Sequence, residues 1–440
     1  MTRYVYTCLL YLLLPFTPLK LLWRARTQPE YLQHWRERYG FYSTKIQQPV
    51  IWLHCVSVGE TRAAAPLIEA LSHHYPRHRI LITHTTPTGR ATSEQLFGNL
   101  VESVYLPYDL PFAVNRFLNH FKPVIGILIE TELWFNLIAS CKQRQIPLLL
   151  VNARLSEKSA RGYAKLGSVA QIGLQSLVAI SAQTEQDALR LRSLGAGNTG
   201  NLISVVGNIK FDVVPPDAAL SQGQQLRQQL GATRPLLLAA STRIGEEAMI
   251  IAAVTAANIK DLLTVIVPRH PQRFDEVAAL LSKNALSYVR RSALVDKEAA
   301  TDQPALRTNE QLPAVNADVA FVLGDSMGEM FSYYAACDLA FIGGSLLPLG
   351  GQNLIEACAM GKPVLIGPYT FNFEQATALA ISAGAAQRVQ GTTELTAAIQ
   401  TLFADAEKRQ HMAVAALHFS EFSRGATLRT LVLIAAFIHE

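Results

Sequence analysis

Short apolar runs alternate with stretches of helical periodicity along most of the chain. Segments such as RAAAPLIEALSHHYP separate the apolar runs and have the amphipathic spacing of helices. A repeated strand–helix order of this kind predicts an α/β protein with parallel, doubly wound sheets. The runs with the character of buried strands are 50–58, 79–86, 103–108, 124–130, 147–155, 176–181, 235–241, 262–268, 319–325, 338–344 and 362–368.

The strand–helix series is interrupted once near the middle of the chain. The stretch FDVVPPDAALSQGQQ (211–225) combines a proline pair with a polar segment, which is typical of a linker. A length of 440 residues also exceeds one ordinary core. We therefore expect two Rossmann-like halves facing across a cleft, and a loop or irregular hairpin over the polar stretch 290–318. The predicted divisions are a hydrophobic anchor segment over 1–26, an N-terminal Rossmann-like domain over 27–212, a linker over 213–233, a C-terminal Rossmann-like domain over 234–405 and closing helices over 406–440.

The first apolar run is longer than the others. YVYTCLLYLLLPFTPLKLLW (4–23) is long enough to cross a bilayer and has Lys20 as its only charge. Basic residues that follow it place the downstream chain in the cytoplasm by the positive-inside rule. Pro15 and Pro18 leave open a helix that lies in the membrane interface instead. A cleaved signal peptide is the remaining alternative, although no small-residue cleavage site follows. The flanking basic residues are Arg24, Arg26, Arg36 and Arg38.

Composition narrows the class of protein further. Half of the residues are hydrophobic and 17% are charged, which suits sheets covered on both faces. The net charge of +5 is spread along the chain, without the aromatic and basic clusters of a nucleic-acid-binding module. The five cysteines are scattered and none has the spacing of zinc ligands. They predict reduced thiols in the cytoplasm, with neither a disulfide framework nor a structural metal.

Charged groups stand where three strands of the N-terminal half end. Glu60 of HCVSVGETRAA lies in the first helical turn after a strand, where the helix dipole would keep it ionised as a proton acceptor. The alternative is that Glu60 only caps the helix. Glu130 closes a hydrophobic strand and needs a partner, which a structural arginine would supply equally well. Lys210 of GNIKFD, near the end of a short strand, can hold an anion or be an exposed edge-strand lysine.

The C-terminal half offers two strand ends that suit an anion. Arg269 and His270 of VIVPRHPQRF directly follow a strand and could clamp a phosphate or a carboxylate. In VLGDSMGEMF, Gly328 and a helix beginning near Glu329 resemble a loop that cradles an anion. A plain helix start capped by Asp325 is the alternative. Neither stretch matches the Walker loop or the dinucleotide-binding fingerprint.

The stretch GGSLLPLGGQNLIEACAMGKPVLIGP (343–368) has more backbone freedom than packing requires. Gly343 and Gly344 end a strand and allow a ligand to approach the backbone closely. Asn353 and Glu356 share one helix face and could bind an oxygen-rich group and the vicinal hydroxyls of a ribose. The combination indicates a nucleotide-sugar site.

Eight stretches, taken in order and spacing, resemble one known family. They are HCVSVGET, LPYDLP, ETELW, NARLS, PRHPQRF, GDSMGE, GGSLLPLGGQNLIE and GPYTFNF. As a set they resemble the 3-deoxy-D-manno-octulosonic acid (Kdo) transferases of lipopolysaccharide assembly, and the resemblance covers essentially the whole chain. It implies a glycosyltransferase of the GT-B fold, without a metal or other cofactor, at the cytoplasmic face of the inner membrane. Such an enzyme moves Kdo from CMP-Kdo to a lipid A precursor and inverts the anomeric centre.

The resemblance also assigns roles to residues of this sequence. Glu60 matches the general base of the family, and Glu130 and Lys210 match residues that support the transition state. The positions that match the CMP-binding stretches are Arg269, His270, Met327, Gly328, Glu329, Asn353, Leu354, Ile355 and Glu356.

Two other functions remain compatible with the sequence. One is another GT-B enzyme acting on nucleotide sugars, such as a UDP-sugar epimerase or a UDP-dependent lipid glycosyltransferase. The other is a membrane-tethered binding protein without catalytic activity. Thermal unfolding with CMP or UDP distinguishes a Kdo transferase from a UDP-sugar enzyme, because each should be protected by its own nucleotide. Loss of function on replacing Glu60 distinguishes an enzyme from a binding protein.

Overall fold

The computed structural model describes residues 1–198, 200–294 and 314–438. They form two compact units: Met1–Asp212 together with Ser423–Glu440, and Val213–Phe422. Each unit contains a parallel sheet of seven described strands. The first has β1 (Val50–His54), β2 (Arg79–His84), β3 (Val101–Tyr105), β4 (Pro123–Ile129), β5 (Leu148–Ala153), β6 (Ala179–Ala182) and β7 (Leu202–Val205). The second has β8 (Leu236–Thr242), β9 (Leu263–Pro268), β10 (Tyr288–Arg290), β11 (Phe321–Leu323), β12 (Leu339–Ile342), β13 (Val364–Ile366) and β14 (Ala386–Arg388).

Helices connect these strands, as parallel neighbours require. In the first unit they are α1 (Arg3–Leu13), α2 (Thr17–Ala25), α3 (Val58–Ala63), α4 (Ala65–His74), α5 (Pro87–Phe97), α6 (Pro111–Phe121), α7 (Phe135–Gln143), α8 (Glu157–Leu166), α9 (Ser168–Gln175) and α10 (Glu185–Ser193). The helices of the second unit are α11 (Ala219–Leu230), α12 (Glu246–Ala257), α13 (Phe274–Lys283), α14 (Met330–Ala336), α15 (Ile355–Ala359), α16 (Glu374–Ser382), α17 (Thr392–Ala404) and most of α18 (Ala406–Ser423). The helix α19 (Ala426–Ala435) belongs to the first unit.

Both sheets change winding direction at one point. The strand order is β3-β2-β1-β4-β5-β6-β7 in the first unit and β10-β11-β9-β8-β12-β13-β14 in the second. The connections therefore diverge between β1 and β4, and between β8 and β12. In open parallel sheets, the carboxyl ends of the strands at such a switch point are where ligands bind. The predicted α/β class with two Rossmann-like units is confirmed.

Burial on both faces explains why the strands appear as continuous apolar runs. Val50 and Trp52 of β1 pack into one core, and the alternate residues Ile51 and Leu53 pack into another. Successive strand residues point to opposite faces, so a covered sheet needs apolar residues at every position. The chain's last helix, α19, adds Leu431 to the second of these cores and so belongs to the first unit.

Three strands were absent from the predictions, and all three lie at sheet edges. They are β7, β10 and β14, whose residues are only partly buried. Lys210, which was expected near the end of a short strand, lies beyond β7 in a short 3-10 helix (Ile209–Phe211). Of the predicted loop over 290–318, residues 295–313 lie outside the described residues.

The predicted linker and closing segment differ from the observed elements. The linker was expected over 213–233, but α11 forms there and belongs to the second unit. The segment 406–440 was expected to form closing helices. Its helices are divided, with most of α18 in the second unit and α19 in the first.

The N-terminal helical segment is long and apolar enough to cross a membrane. Arg3–Ala25 has a mean hydropathy of 1.6, and 6% of its most apolar window is buried. Side chains of this segment form hydrogen bonds with the rest of the first unit. The contacts are Tyr6 to Asp109 (2.8 Å), Thr7 to Asn136 (2.9 Å) and Thr17 to Tyr39 (2.7 Å). Other side chains of the segment are exposed, among them Leu12, Phe16, Leu19 and Trp23.

Candidate active site

Glu60 is held by a capping box where β1 leads into α3. The Ser57 hydroxyl accepts the Glu60 N–H and donates to Glu60 Oε1 at 3.0 Å. The Val56 N–H donates to the other carboxylate oxygen at 2.6 Å. Serine and glutamate three residues apart satisfy each other in this way at helix starts. The capping interpretation is therefore correct as geometry, and it leaves the carboxylate only 9% exposed.

The protonation of Glu60 differs from the prediction. Burial raises its pKa to about 7, and the charge of Glu130 adds to this effect. The bonds from Val56 and Ser57 and the charge of Lys210 favour the ionised form but do not outweigh burial. The expectation that the helix dipole keeps Glu60 fully ionised is therefore wrong. A pKa near neutrality is what a general base working at neutral pH requires.

Glu130 and Lys210 form an ion pair beside Glu60. Glu130 follows β4, the neighbour of β1 in the sheet, and its backbone has a φ of 59°. Lys210 Nζ lies 2.7 Å from Glu130 Oε1. The alternative of a structural arginine as the partner of Glu130 does not hold, since the partner is this lysine. Two predicted site residues that are far apart in sequence are thus brought into contact.

Glu132 is a third carboxylate of this cluster, and the sequence analysis did not assign it a role. Its pKa is raised to about 7, first by burial and then by the charges of Glu60 and Glu130. The nearby Trp134 indole opposes this rise. The Glu-x-Glu spacing after a buried strand is the signal that could have identified it. We refer to Glu60, Glu130, Glu132 and Lys210 as the carboxylate cluster.

The carboxylate cluster lies at the switch point of the first sheet. Glu60 follows β1, and Glu130 and Glu132 follow β4. Among the described residues, no group of three or more histidine, cysteine, aspartate or glutamate side chains is arranged to hold a metal ion. The cluster can exchange a proton near neutral pH and present an ammonium group beside it.

The glycine-rich stretch of the second unit follows β12, at the other switch point. A buried carboxylate, Glu246, accepts the backbone N–H groups of Gly344, Ser345 (2.8 Å) and Leu346 (2.9 Å). Burial nevertheless raises the pKa of Glu246. A Cβ at Gly343 would lie 2.6 Å from the Ser241 carbonyl oxygen. Glycine is thus required by close backbone packing at this position, and Glu246, which the sequence analysis missed, fixes the loop.

Asn353 and Glu356 are adjacent, as their spacing predicted. Asn353 accepts the Ile355 N–H through its side-chain oxygen and donates to Glu356 Oε1, both at 3.0 Å. The side chains of Leu354 and Ile355 are buried at 0% and 1% exposure. Neither residue is exposed, and the Ile355 N–H is already bonded to Asn353, so these two residues support the site by packing.

Arg269 and His270 directly follow β9. The Arg269 N–H donates to the Thr242 carbonyl at 2.9 Å, which joins this turn to the end of β8. The pKa of His270 is lowered by burial and by the charges of Arg243, Arg269 and Arg273. Arg273 is paired with Glu247 and Glu276, so Arg243 and Arg269 supply the positive charge here that suits an anion.

The turn formed by Met327, Gly328 and Glu329 precedes α14. Met327 is 59% exposed, and Gly328 has a φ of 84°, a conformation that favours glycine. Glu329 pairs with Arg291 at 2.9 Å and accepts a bond from the Ser326 hydroxyl. The turn thus presents an exposed methionine, and Arg291 and Ser326 hold its acidic group in place.

Comparison with solved structures identifies the fold type. The UDP-GlcNAc 2-epimerase from Neisseria meningitidis is 16% identical, with a TM-score of 0.54 over 88% of this chain and 100% of that one. MurG from Acinetobacter baumannii is 13% identical, with a TM-score of 0.53 over 88% and 99%. At such identities the similarity shows the fold alone, which is of the GT-B type.

Sequence comparison identifies the family. Residues 33–213 match the family described as "3-Deoxy-D-manno-octulosonic-acid transferase (kdotransferase)". The 3-deoxy-D-manno-octulosonic acid transferase of Bordetella pertussis is 42% identical over 94% of this chain and 95% of its own length. That of Haemophilus influenzae is 37% identical over 100% and 99%. The chain therefore belongs to the 3-deoxy-D-manno-octulosonic acid transferase family.

Proposed function

We propose that this protein transfers Kdo from CMP-Kdo to a hydroxyl of a lipid A precursor, a tetraacylated disaccharide bisphosphate, and releases CMP. Membership of the Kdo transferase family supports the transfer of Kdo. The observation that carries the catalytic proposal is Glu60, a buried carboxylate fixed by two donors and with a pKa of about 7.

In this proposal Glu60 is the general base. A sugar hydroxyl is a weak nucleophile until its proton is removed as it attacks. Glu60 takes that proton while the acceptor oxygen bonds to the anomeric carbon of Kdo. The bond from that carbon to the CMP phosphate breaks, and CMP leaves with the electron pair. Attack on the face opposite CMP inverts the configuration.

The charged groups around the reaction then have distinct roles. Lys210, oriented by Glu130 at 2.7 Å, supports the negative charge that develops in the transition state. In the second unit, Arg269 and His270 hold the CMP phosphate, and Asn353 and Glu356 bind the ribose. The turn of Met327, Gly328 and Glu329 completes the CMP site, and the buried Leu354 and Ile355 support it from below. These cationic groups allow a metal-independent reaction.

We also propose that the enzyme works at the cytoplasmic face of the inner membrane, where its lipid acceptor would be. The segment Arg3–Ala25 is the anchor, and it lies along the membrane surface. This orientation is supported by the bonds from Tyr6, Thr7 and Thr17 to the folded unit, which a spanning helix would break. Its exposed apolar side chains would then enter the lipid.

The direct test is incubation with CMP-Kdo and the lipid A precursor, with mass spectrometry of the product. We expect a mass increase of one or more Kdo residues, and no such increase with Glu60→Gln. Thermal unfolding with CMP or UDP tests the nucleotide. Protection by UDP and not by CMP would contradict the proposed donor, and wild-type transfer by Glu60→Gln would contradict the proposed base.

A further inference from the structure

A cationic cavity lies in the first unit, between the N-terminal segment and the strand ends. Its volume is about 270 Å³, which is several times the roughly 30 Å³ that a water molecule occupies in the liquid. Among the described residues that line it, none is acidic. The residues that matter here are Lys20, Arg24, Tyr31, Arg38, Val56 and Trp134.

Arg38 is the buried cation of this cavity. The residue is 5% exposed, and its Nη1 donates to the Thr85 carbonyl at 3.0 Å. Its Nε and Nη2 are buried and have no hydrogen-bond partner among the described residues. A buried guanidinium with unused donors is costly, so such groups usually serve a ligand or a counter-ion.

The neighbouring acid does not compensate this charge. Glu37 Oε2 pairs with Arg90 at 3.0 Å and accepts the Tyr105 N–H at 2.8 Å. No ion pair to Arg38 occurs among the described residues. The guanidinium instead lies over the Tyr105 ring, with its carbon 4.0 Å from the ring centroid. Nε and Nη2 of Arg38 thus have no partner among the described residues, and both atoms are covered by protein beside the cavity.

Two further cations come from the N-terminal segment. Lys20 and Arg24 are exposed residues of α2, and both line the cavity. Arg24 donates to the Tyr31 hydroxyl at 3.2 Å, which keeps its side chain at the rim. Three positive groups therefore converge on a space without an acidic residue in its described lining, an arrangement that suits a dianion.

The cavity shares a loop with the proposed base. Val56 lines the cavity, and its N–H holds the Glu60 carboxylate at 2.6 Å. Trp134, on the same lining, follows Glu132 of the carboxylate cluster. A molecule anchored in the cavity would extend along the loop that positions Glu60.

We infer that this cavity binds a phosphate monoester and that Arg38, Lys20 and Arg24 are the binding residues. Arg38, which no acidic side chain pairs with among the described residues, and the exposed Lys20 and Arg24 together supply the positive charge that a phosphate dianion requires. Resting on the proposed function, the phosphate is one of those on the acceptor lipid, and its binding positions the acceptor hydroxyl near Glu60.

The test compares phosphorylated and dephosphorylated acceptors. Lys20→Ala/Arg24→Ala removes two exposed charges and keeps the buried Arg38. We expect it to raise KM for the bisphosphorylated precursor by roughly tenfold or more, since charge-assisted bonds are lost, with a smaller change in kcat. For a precursor that lacks the bound phosphate we expect less than about a twofold change. Arg38→Gln should act in the same direction.

A matched control separates this effect from general attraction to membranes. Arg26→Ala/Lys45→Ala also removes two exposed cations of the first unit, neither of which lines the cavity. We expect it to leave KM unchanged for both acceptors. Binding to vesicles of anionic phospholipid should fall equally in both double variants, and inorganic phosphate should compete with acceptor only in proteins with an intact cavity.

The outcomes distinguish this inference from the proposed function. Direct titration of the bisphosphorylated precursor in detergent measures binding even when no Kdo is transferred. Weaker binding in Lys20→Ala/Arg24→Ala without transfer in the wild type would support the cavity and contradict the function. Equal loss for phosphorylated and dephosphorylated acceptors, or equal loss in the control variant, would overturn the inference. Unchanged KM in Lys20→Ala/Arg24→Ala and in a folded Arg38→Gln would also overturn it.

Discussion

Replacing Glu60 with glutamine removes a buried ionisable group and keeps the shape of its side chain. Glutamine occupies the same position of a capping box as glutamate. Its amide oxygen can still accept the Val56 N–H, and the Ser57 hydroxyl can rotate to accept from the amide nitrogen. The start of α3 is therefore preserved, and Glu60→Gln tests the charge of the group and not its packing.

The expected stability change follows from the pKa of Glu60. It is about 7 in the folded protein, against an ordinary 4.5, so the folded state holds this proton more tightly than the unfolded chain. At a pH below 4.5 the group is protonated in both states. Between pH 4.5 and 7 the unfolded chain releases this proton while the folded protein retains it, so the free energy of unfolding falls by up to roughly 3 kcal/mol, at 1.36 kcal/mol for each pKa unit, and changes no further above 7. Glutamine has no such cost.

Unfolding midpoints and transfer rates measured from about pH 5 to about pH 8 check both consequences. We expect Glu60→Gln to gain several degrees of unfolding midpoint over the wild type between these limits, at roughly 2–4 °C per kcal/mol for a domain of this size. Transfer should fall roughly 10²–10⁴-fold, as for the loss of a general base.

Glu132→Gln is the matched control. Its pKa is also about 7, so we expect a similar pH-dependent gain in stability but a much smaller loss of transfer. A stability difference between Glu60→Gln and wild type that is the same at both pH limits would refute the raised pKa. Transfer in Glu60→Gln no lower than in Glu132→Gln would refute the assignment of the base.

Three further changes test the surroundings of the two sites. Lys210→Met removes a charge that lowers the pKa of Glu60, so kcat should fall and its pH profile should move to higher pH; an unmoved profile would show that the two groups are not coupled. Glu246→Gln removes the charged acceptor of four backbone N–H groups and should destabilise the protein by about 2 kcal/mol or more in denaturant titration, with weaker CMP binding by calorimetry. Gly343→Ala places a Cβ against backbone atoms and should lower the free energy of unfolding by about 1–3 kcal/mol. Gly391→Ala, whose Cβ would have no atom within 4 Å, should leave it nearly unchanged. Equal losses of stability in the two variants would contradict the packing argument.

Apart from the edge strand β3, the strands that could be predicted from the sequence are those whose two faces are both buried. β1 is apolar at four of its five positions because Trp52 and Ile51 enter different cores, so its pattern is unambiguous. The edge strands β7, β10 and β14 have neighbours on one side only and are partly exposed. Their short, mixed sequences lack both the continuous run and the strict alternation that identify a strand.

The candidate site shows a different limit of sequence reasoning. Glu60 and Glu130 could be found because charged residues at the ends of apolar strands are conspicuous. The pairing of Glu130 with Lys210 depends on the sheet and has no local signal. Arg38 was interpreted only as one of the basic residues that flank the N-terminal segment, yet it is 5% exposed. A single sequence does not report burial. Because Arg38 is buried, it is a candidate ligand-binding group and not only an indicator of membrane orientation.

The strength of the proposed base is a property of the fold and not of the residue. A glutamate at an ordinary helix start is solvated and titrates near 4.5. Here β1 and β4 bring three carboxylates to one switch point, and burial then raises the pKa of Glu60 and of Glu132 to about 7. Lys210 opposes this rise at Glu60, so the ammonium group both limits the pKa of the base and supplies positive charge beside it. A shift of Lys210 by a few ångströms would therefore change both the pKa of Glu60 and the electrostatic support beside it. The ion pair with Glu130 holds Lys210 in its position.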